Sequence, residues 1–171
     1  MTQNVLENIQ LGKQKSLLDY SKEKKVMMVF LRHSGCTFCR ETLGDLIRHE
    51  DQLEELGVQI VFVHMSEGFH EQKMKEKFPF KNAIWISDRN KSIYSQFGLK
   101  RGSLLELFGP KVIMEGYKAG IKKQHGVGKL DGDGMQMPGI FSIIDGETTW
   151  IHKYDHAGDT PNFKELIDTH F

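Results

Sequence analysis

An α/β fold, a central sheet flanked by helices, is predicted for this chain by three observations. Apolar strand-like runs alternate with helix-periodic segments through the first half. An Asp-Gly hairpin signal joins two β-rich runs near the end. Both cysteines, Cys36 and Cys39, stand where an apolar run hands over to a helical pattern. The 171 residues, 39% hydrophobic and 27% charged, suit one domain spanning 1–171 with a sizeable core. No Pro-rich linker, low-complexity tract or internal repeat divides them.

Taken in order, Val5, Ile9, Leu11, Leu17 and Leu18 recur with loose helical spacing and predict an extra N-terminal amphipathic helix, which exits through the charged cluster Lys22 to Lys25. Val26 to Leu31 is a nearly continuous apolar run ending at Arg32 and His33, as expected of a central strand buried on both faces. From Thr37 to Leu56, residues Leu43, Leu46, Ile47, Leu53 and Leu56 predict one helix, with Gly57 as its C-cap. Val58 to His64 reads as a second strand, and Glu67 to Lys77 as a helix ending before Pro79.

Ala83 to Ser87 fits another buried strand, followed by a short helix over Ser92 to Phe97 closed by Gly98. Ser103 to Lys123 is a longer helical stretch broken near Gly109-Pro110. The glycines of 126–134 predict a loop. Ile140 to Ile144 and Thr149 to Tyr154 form a hairpin across Asp145-Gly146-Glu147, and Pro161 to Ile167 is a closing helix. The order β-α-β-α, then an inserted β-α unit and a helix, then β-β-α, matches a thioredoxin-like mixed sheet. Right-handed crossovers would put Cys36 and Cys39 at the carboxyl edge of a central parallel strand, where ligands commonly bind.

The spacing Cys36-Thr37-Phe38-Cys39 carries the chemistry. Two intervening residues at the first turn of a helix bring the sulfurs within bonding reach, so that one thiol attacks and the other resolves. Unpaired N–H groups and the helix dipole lower a thiol pKa from about 8.5 towards ~7 or below. Haem attachment would need His immediately after the second cysteine, where Arg40 stands. A structural zinc site would need four ligands, and only His33 and His49 are close in sequence. Two thiols packed as small hydrophobes would be the bland alternative. No metal and no prosthetic cofactor is called for.

Lys plus Arg and Asp plus Glu both number 23, so there is no global field to draw nucleic acid or an anionic membrane. Neither partner is expected. No signal-peptide core opens the chain, and nowhere do ~18 apolar residues run together, so the expected compartment is the cytoplasm. There a close cysteine pair is redox-active rather than a staple.

Two blocks resemble a known family: Val29-Phe30-Leu31-Arg32-His33-Ser34-Gly35-Cys36-Thr37-Phe38-Cys39-Arg40-Glu41 and Asp131-Gly132-Asp133-Gly134-Met135-Gln136-Met137-Pro138-Gly139-Ile140-Phe141. With Tyr94 to Gly102 and His156-Ala157-Gly158-Asp159, they look like the peroxiredoxin-like branch of the AhpC/TSA antioxidant group. The resemblance implies a thioredoxin fold with a peroxiredoxin-type β-α insertion. It also implies that Pro138 matches the cis-proline loop facing the cysteines, with the Met137 backbone turned towards a thiol substrate.

A peroxide or disulfide substrate, a thioredoxin- or glutathione-type electron donor and a homo-oligomer are the partners it implies. In the family pattern Cys39 takes the peroxidatic place, Arg32 stands where the family has Pro, Cys36 where it has Thr, and Gly139 where it has Arg. In the thioredoxin-like reading Cys36 attacks instead. Both routes end in a Cys36–Cys39 disulfide.

Arg32 and His33 flank the motif as candidate supporting residues, because a cation beside a thiolate lowers its pKa. Asp131-Gly132-Asp133-Gly134 lacks the distal Glu of a calcium loop and reads as turn chemistry. His152 and His156 lie in strand and turn, ~13 Å apart, and are expected to be solvated rather than metal ligands. The leading expectation is therefore a thiol oxidoreductase. A disulfide reductase without peroxide specificity and a non-catalytic redox-sensing or zinc-binding module are the alternatives.

Overall fold

The computed structural model describes residues 3–11, 15–117 and 132–171. Five strands form one sheet in the order β3-β2-β1-β4-β5, with β1 at Lys25–Phe30, β2 at Val58–His64, β3 at Ile84–Ser87, β4 at Gly139–Ile144 and β5 at Glu147–Lys153. The first three are parallel, and β4 and β5 run antiparallel to their neighbours.

Strand β1 sits at the centre because its residues suit burial on both faces. Met27 and Val29 join a cluster with Ile60 and Phe62 of β2. Their sequence neighbours Val26, Met28 and Phe30 join the opposite cluster with Val61 and Val63. Alternate side chains point to opposite faces, so only an unbroken apolar run fills both cores.

Helices cover each face. On one lie α3 (Thr37–Ile47), α4 (Glu50–Glu55) and α9 (Phe163–His170), through Leu43, Leu46, Leu53, Phe163 and Ile167. On the other lie α1 (Gln3–Asn8), α2 (Leu17–Glu23) and α6 (Ser92–Gln96), through Leu6, Leu17 and Tyr94. Phe30 makes ring contacts with Tyr94, Phe97 and Phe141 at centroid distances of 5.1, 4.8 and 5.4 Å. Such pairs add about 0.5–1.5 kcal/mol each beyond area burial. Helix α5 (Gly68–Lys77) links β2 to β3, and α7 (Leu104–Phe108) and α8 (Pro110–Tyr117) follow α6.

Several expectations are refined. The single N-terminal helix is two short helices, and the helix expected over Thr37–Leu56 breaks between Ile47 and Glu50 into α3 and α4. Ala83–Ser87, expected to be buried, contains the edge strand β3. Among the described residues nothing pairs beyond it, so its side chains are only half covered. The 103–123 stretch divides at Gly109-Pro110 as predicted, while its end beyond Tyr117 and most of the 126–134 loop lie outside the described residues. Asp145 and Gly146 form the β4–β5 turn with φ of 51° and 75°, the double positive φ that an Asp-Gly pair supplies to a hairpin.

Candidate active site

Pairing of β1 with β2 continues one residue beyond the strand through Leu31 N–H to Val63 O at 2.8 Å. The Tyr94 hydroxyl reaches the carbonyls of both Leu31 and Val63. Tyr94 is held there by α6, whose first N–H groups, from Ser92 and Ile93, donate to the Asp88 carboxylate. The two strand ends are thereby fixed, and the chain leaves the sheet at Arg32 at a defined point.

The next turn delivers the cysteines. Cys36 is the N-cap of α3, with extended backbone (φ −72°, ψ 121°), and its N–H donates to His33 O at 3.0 Å. Its carbonyl accepts the Arg40 N–H at 3.1 Å, and its Sγ accepts the Cys39 N–H at 3.5 Å. The sulfur thus occupies the place of a capping oxygen, at the positive end of an 11-residue helix. Both thiols are free and buried.

Arg32 contacts both sulfurs by different atoms. Its backbone N–H donates to Cys39 Sγ at 3.1 Å, and its guanidinium Nη1 lies 3.7 Å from Cys36 Sγ. The guanidinium's other terminal nitrogen donates to Gly134 O. Asp133 next to that glycine is fixed by Lys91 at 2.7 Å and Arg101 at 2.9 Å, and accepts the Met135 N–H at 2.9 Å. So the Asp131–Gly134 turn, as far as it is described, serves as an anchor for the guanidinium.

The two thiols differ electrostatically. Cys36 is lowered to about 6, first by the hydrogen bond from Cys39 and then by the Arg32 charge and the helix N–H groups, against the opposing effect of burial. Cys39 is raised well above the usual thiol range by burial and by donating to Cys36. The helix N-terminus, the Arg32 cation and the hydrogen bond from Cys39 thus favour negative charge on Cys36 over Cys39. The sequence left open which sulfur is poised to attack, and this asymmetry favours Cys36.

Of the supporting residues, Arg32 is buried against the pair and His33 contributes its carbonyl to the Cys36 N–H. Pro138 lines a small cavity with Cys39, so it stands near the pair. Its expected isomer is not found: the described residues contain no cis peptide bond. Pro138 instead precedes β4 in trans, where the missing N–H costs the ladder nothing. At Met137 the N–H donates to Lys100 O at 3.1 Å and the carbonyl accepts one hydrogen bond from the Gln136 side chain at 3.3 Å.

A side chain at Gly139 would require the Leu99 side chain to shift. A Cβ there would lie 2.7 Å from Leu99 Cδ2. Sequence reasoning missed Thr42 and Tyr154, which line the same cavity as Cys39. Thr42 was signalled by its place one turn after Cys39 on α3. Tyr154, just past the end of β5, carried no local signal.

The model of the AhpC/TSA family matches residues 3–145 of the chain. Among curated proteins, prostamide/prostaglandin F synthase of Salmo salar is 31% identical over 163 residues, covering 91% of this chain and 78% of that one. Thioredoxin-like protein AAED1, chloroplastic, of Arabidopsis thaliana is 26% identical over 165 residues, covering 91% of this chain. This chain spans 66% of that relative's length. Among solved structures, a cysteine-to-serine mutant of Xylella fastidiosa PrxQ superposes with a TM-score of 0.65 at 13% identity, covering 95% of this chain and 87% of that one. A putative thiol:disulfide interchange protein DsbE from Chlorobium tepidum superposes with a TM-score of 0.56 at 17% identity, covering 90% and 81%. At these identities the structures establish the fold, the predicted thioredoxin-like arrangement.

Proposed function

The chain belongs to the AhpC/TSA family, and from that premise we propose that it is a peroxiredoxin-like, thiol-dependent oxidoreductase in which Cys36 attacks and Cys39 resolves. The observation that carries this reading is the placement of Cys36 Sγ at the N-terminus of α3 with the Arg32 guanidinium 3.7 Å away. A buried sulfur held by cationic and N–H donors is a nucleophile at neutral pH.

With a peroxide, the Cys36 thiolate attacks one oxygen, the O–O bond breaks, and the departing alkoxide or hydroxide takes a proton from solvent. Cys36 becomes a sulfenic acid. Cys39 then attacks its sulfur, releasing water and leaving the Cys36–Cys39 disulfide. A thioredoxin-type dithiol, or two glutathione-type thiols, returns both to the reduced state and leaves as a disulfide. A cytoplasmic, reducing setting accords with a cycling pair.

The second reading, a disulfide reductase without peroxide specificity, is favoured by one observation. Cys36, the thiol nearer the chain start, is the one whose pKa is lowered, as in a thioredoxin-like pair. Mixing prereduced protein with one equivalent of hydrogen peroxide, blocking thiols rapidly and weighing the intact protein separates the two. Loss of two hydrogens within seconds is expected, with Cys39→Ser stopping at the addition of one oxygen on Cys36. Thiols that persist for many minutes would sink the peroxidase reading and leave the reductase.

A further inference from the structure

The buried Arg32 guanidinium is held by few bonds. Its Nη1 lies 3.7 Å from Cys36 Sγ, and its Nε has no hydrogen-bond partner among the described residues. The one oxygen it donates to among those residues is the Gly134 carbonyl. That carbonyl belongs to the central peptide of a four-residue turn, closed by the Gln136 N–H donating to Asp133 O at 3.1 Å. The Asp133 side chain bends back over the same turn, and its Oδ1 accepts the Met135 N–H at 2.9 Å. Asp is suited to this, because its short side chain reaches the backbone two residues on.

The Gly134 C=O and the Met135 N–H are parts of one planar trans peptide, so they point in opposite directions. Holding the N–H on Asp133 therefore aims the carbonyl away from Asp133 and at the guanidinium. The dihedral freedom of Gly134 means that the backbone alone does not fix this plane. Asp133 is itself fixed by two cations. Lys91 Nζ lies 2.7 Å and Arg101 Nε 2.9 Å from Oδ2, and Arg101 Nη2 reaches Oδ1 at 3.2 Å. We propose that Asp133 is a positioning residue for the attacking thiol: its carboxylate holds the Gly134 carbonyl on the Arg32 guanidinium, which keeps that cation beside Cys36 Sγ. The inference rests on the reading of Cys36 as the attacking thiol.

The charge of Asp133 and its hold on the turn act on Cys36 with opposite signs. A carboxylate near a thiol disfavours the thiolate, so removing the charge by itself would make Cys36 titrate lower. Removing the hold releases the guanidinium from Cys36 Sγ, and with the cation displaced Cys36 titrates higher. Cys39 and Arg32 act on the charge of Cys36, and Lys91 and Arg101 on that of Asp133. Side-chain chemistry separates the two effects. Asn keeps the acceptor oxygen at the same reach without the charge. Glu keeps the charge, but its extra methylene carries the oxygens past the Met135 N–H.

The test is the pH midpoint of iodoacetamide labelling in the full chain carrying Cys39→Ser, where Cys36 is the sole cysteine. Asp133→Ala and Asp133→Glu are expected to raise the midpoint by about half to one unit, and Asp133→Asn to stay within about 0.2 units of the parent. In an Arg32→Gln background, Asp133→Glu should add no further rise, because the group it positions is gone. A merely structural role would lower the urea midpoint and leave the titration in place. That outcome overturns the proposal, as do a midpoint that moves in Asp133→Asn but not in Asp133→Glu, and shifts that simply add to those of Arg32→Gln. If Asp133→Ala does not fold, the Glu and Asn variants decide. A parent midpoint at the ordinary thiol value of about 8.5 refutes the reading of Cys36 as the attacking thiol. A lowered parent midpoint shared by every Asp133 variant refutes only the role of Asp133.

Discussion

Replacing Cys39 by alanine, with Cys39→Ser as its companion, tests the electrostatics of the pair. The largest influence lowering Cys36 to about 6 is the hydrogen bond it receives from Cys39. Hydrogen bonds to charged groups contribute about 1.5–3 kcal/mol, and sulfur donors fall at the weak end. At 1.36 kcal/mol per pKa unit, losing this one should raise Cys36 by about one to one and a half units. The thiolate fraction at pH 7 would then drop from about nine-tenths to between about a half and a quarter, roughly a two- to fourfold loss of reactivity. Each variant holds Cys36 as its sole cysteine, so the rate of iodoacetamide labelling against pH reports its titration directly. Cys39→Ser keeps a donor and should titrate near 6, while Cys39→Ala should titrate at about 7 to 7.5. Coincident midpoints would refute the claim that Cys39 donates to a resting thiolate on Cys36.

Arg32→Gln keeps polar bulk but removes the charge 3.7 Å from Cys36 Sγ, and the Cys36 labelling midpoint should rise by about one unit. An unchanged midpoint would show that the guanidinium only braces Gly134. Gly139→Ala would place a methyl 2.7 Å from Leu99 and 3.1 Å from the Phe141 ring. Overpacking of this kind costs about 1–3 kcal/mol, visible as a lower urea midpoint with unchanged slope. A variant as stable as the parent would mean that the space is not closed.

Much of the fold follows from local pattern. Val58–His64 is identical in sequence reading and structure, and the Asp145-Gly146 turn lies where its chemistry predicts. The cysteine pair was legible because its spacing and its strand–helix junction are both local. The reading of Thr37–Leu56 as one helix erred because α3 and α4 both present apolar residues to the same core cluster, so periodicity alone does not reveal the break between them. β3 read as buried because apolar composition does not report whether a neighbour pairs beyond an edge.

What the sequence by itself determined is the α/β alternation, the two-faced central strand and the redox motif at its end, since each depends on residues a few positions apart. The tertiary structure decided which sulfur lies beside the Arg32 guanidinium, that Pro138 enters β4 in trans, and that Thr42 and Tyr154 share a cavity with Cys39. Those outcomes depend on burial and on distances between groups far apart in the chain. A thiol's charge state in particular is set by the balance of desolvation against nearby donors and cations, and no spacing rule contains that sum.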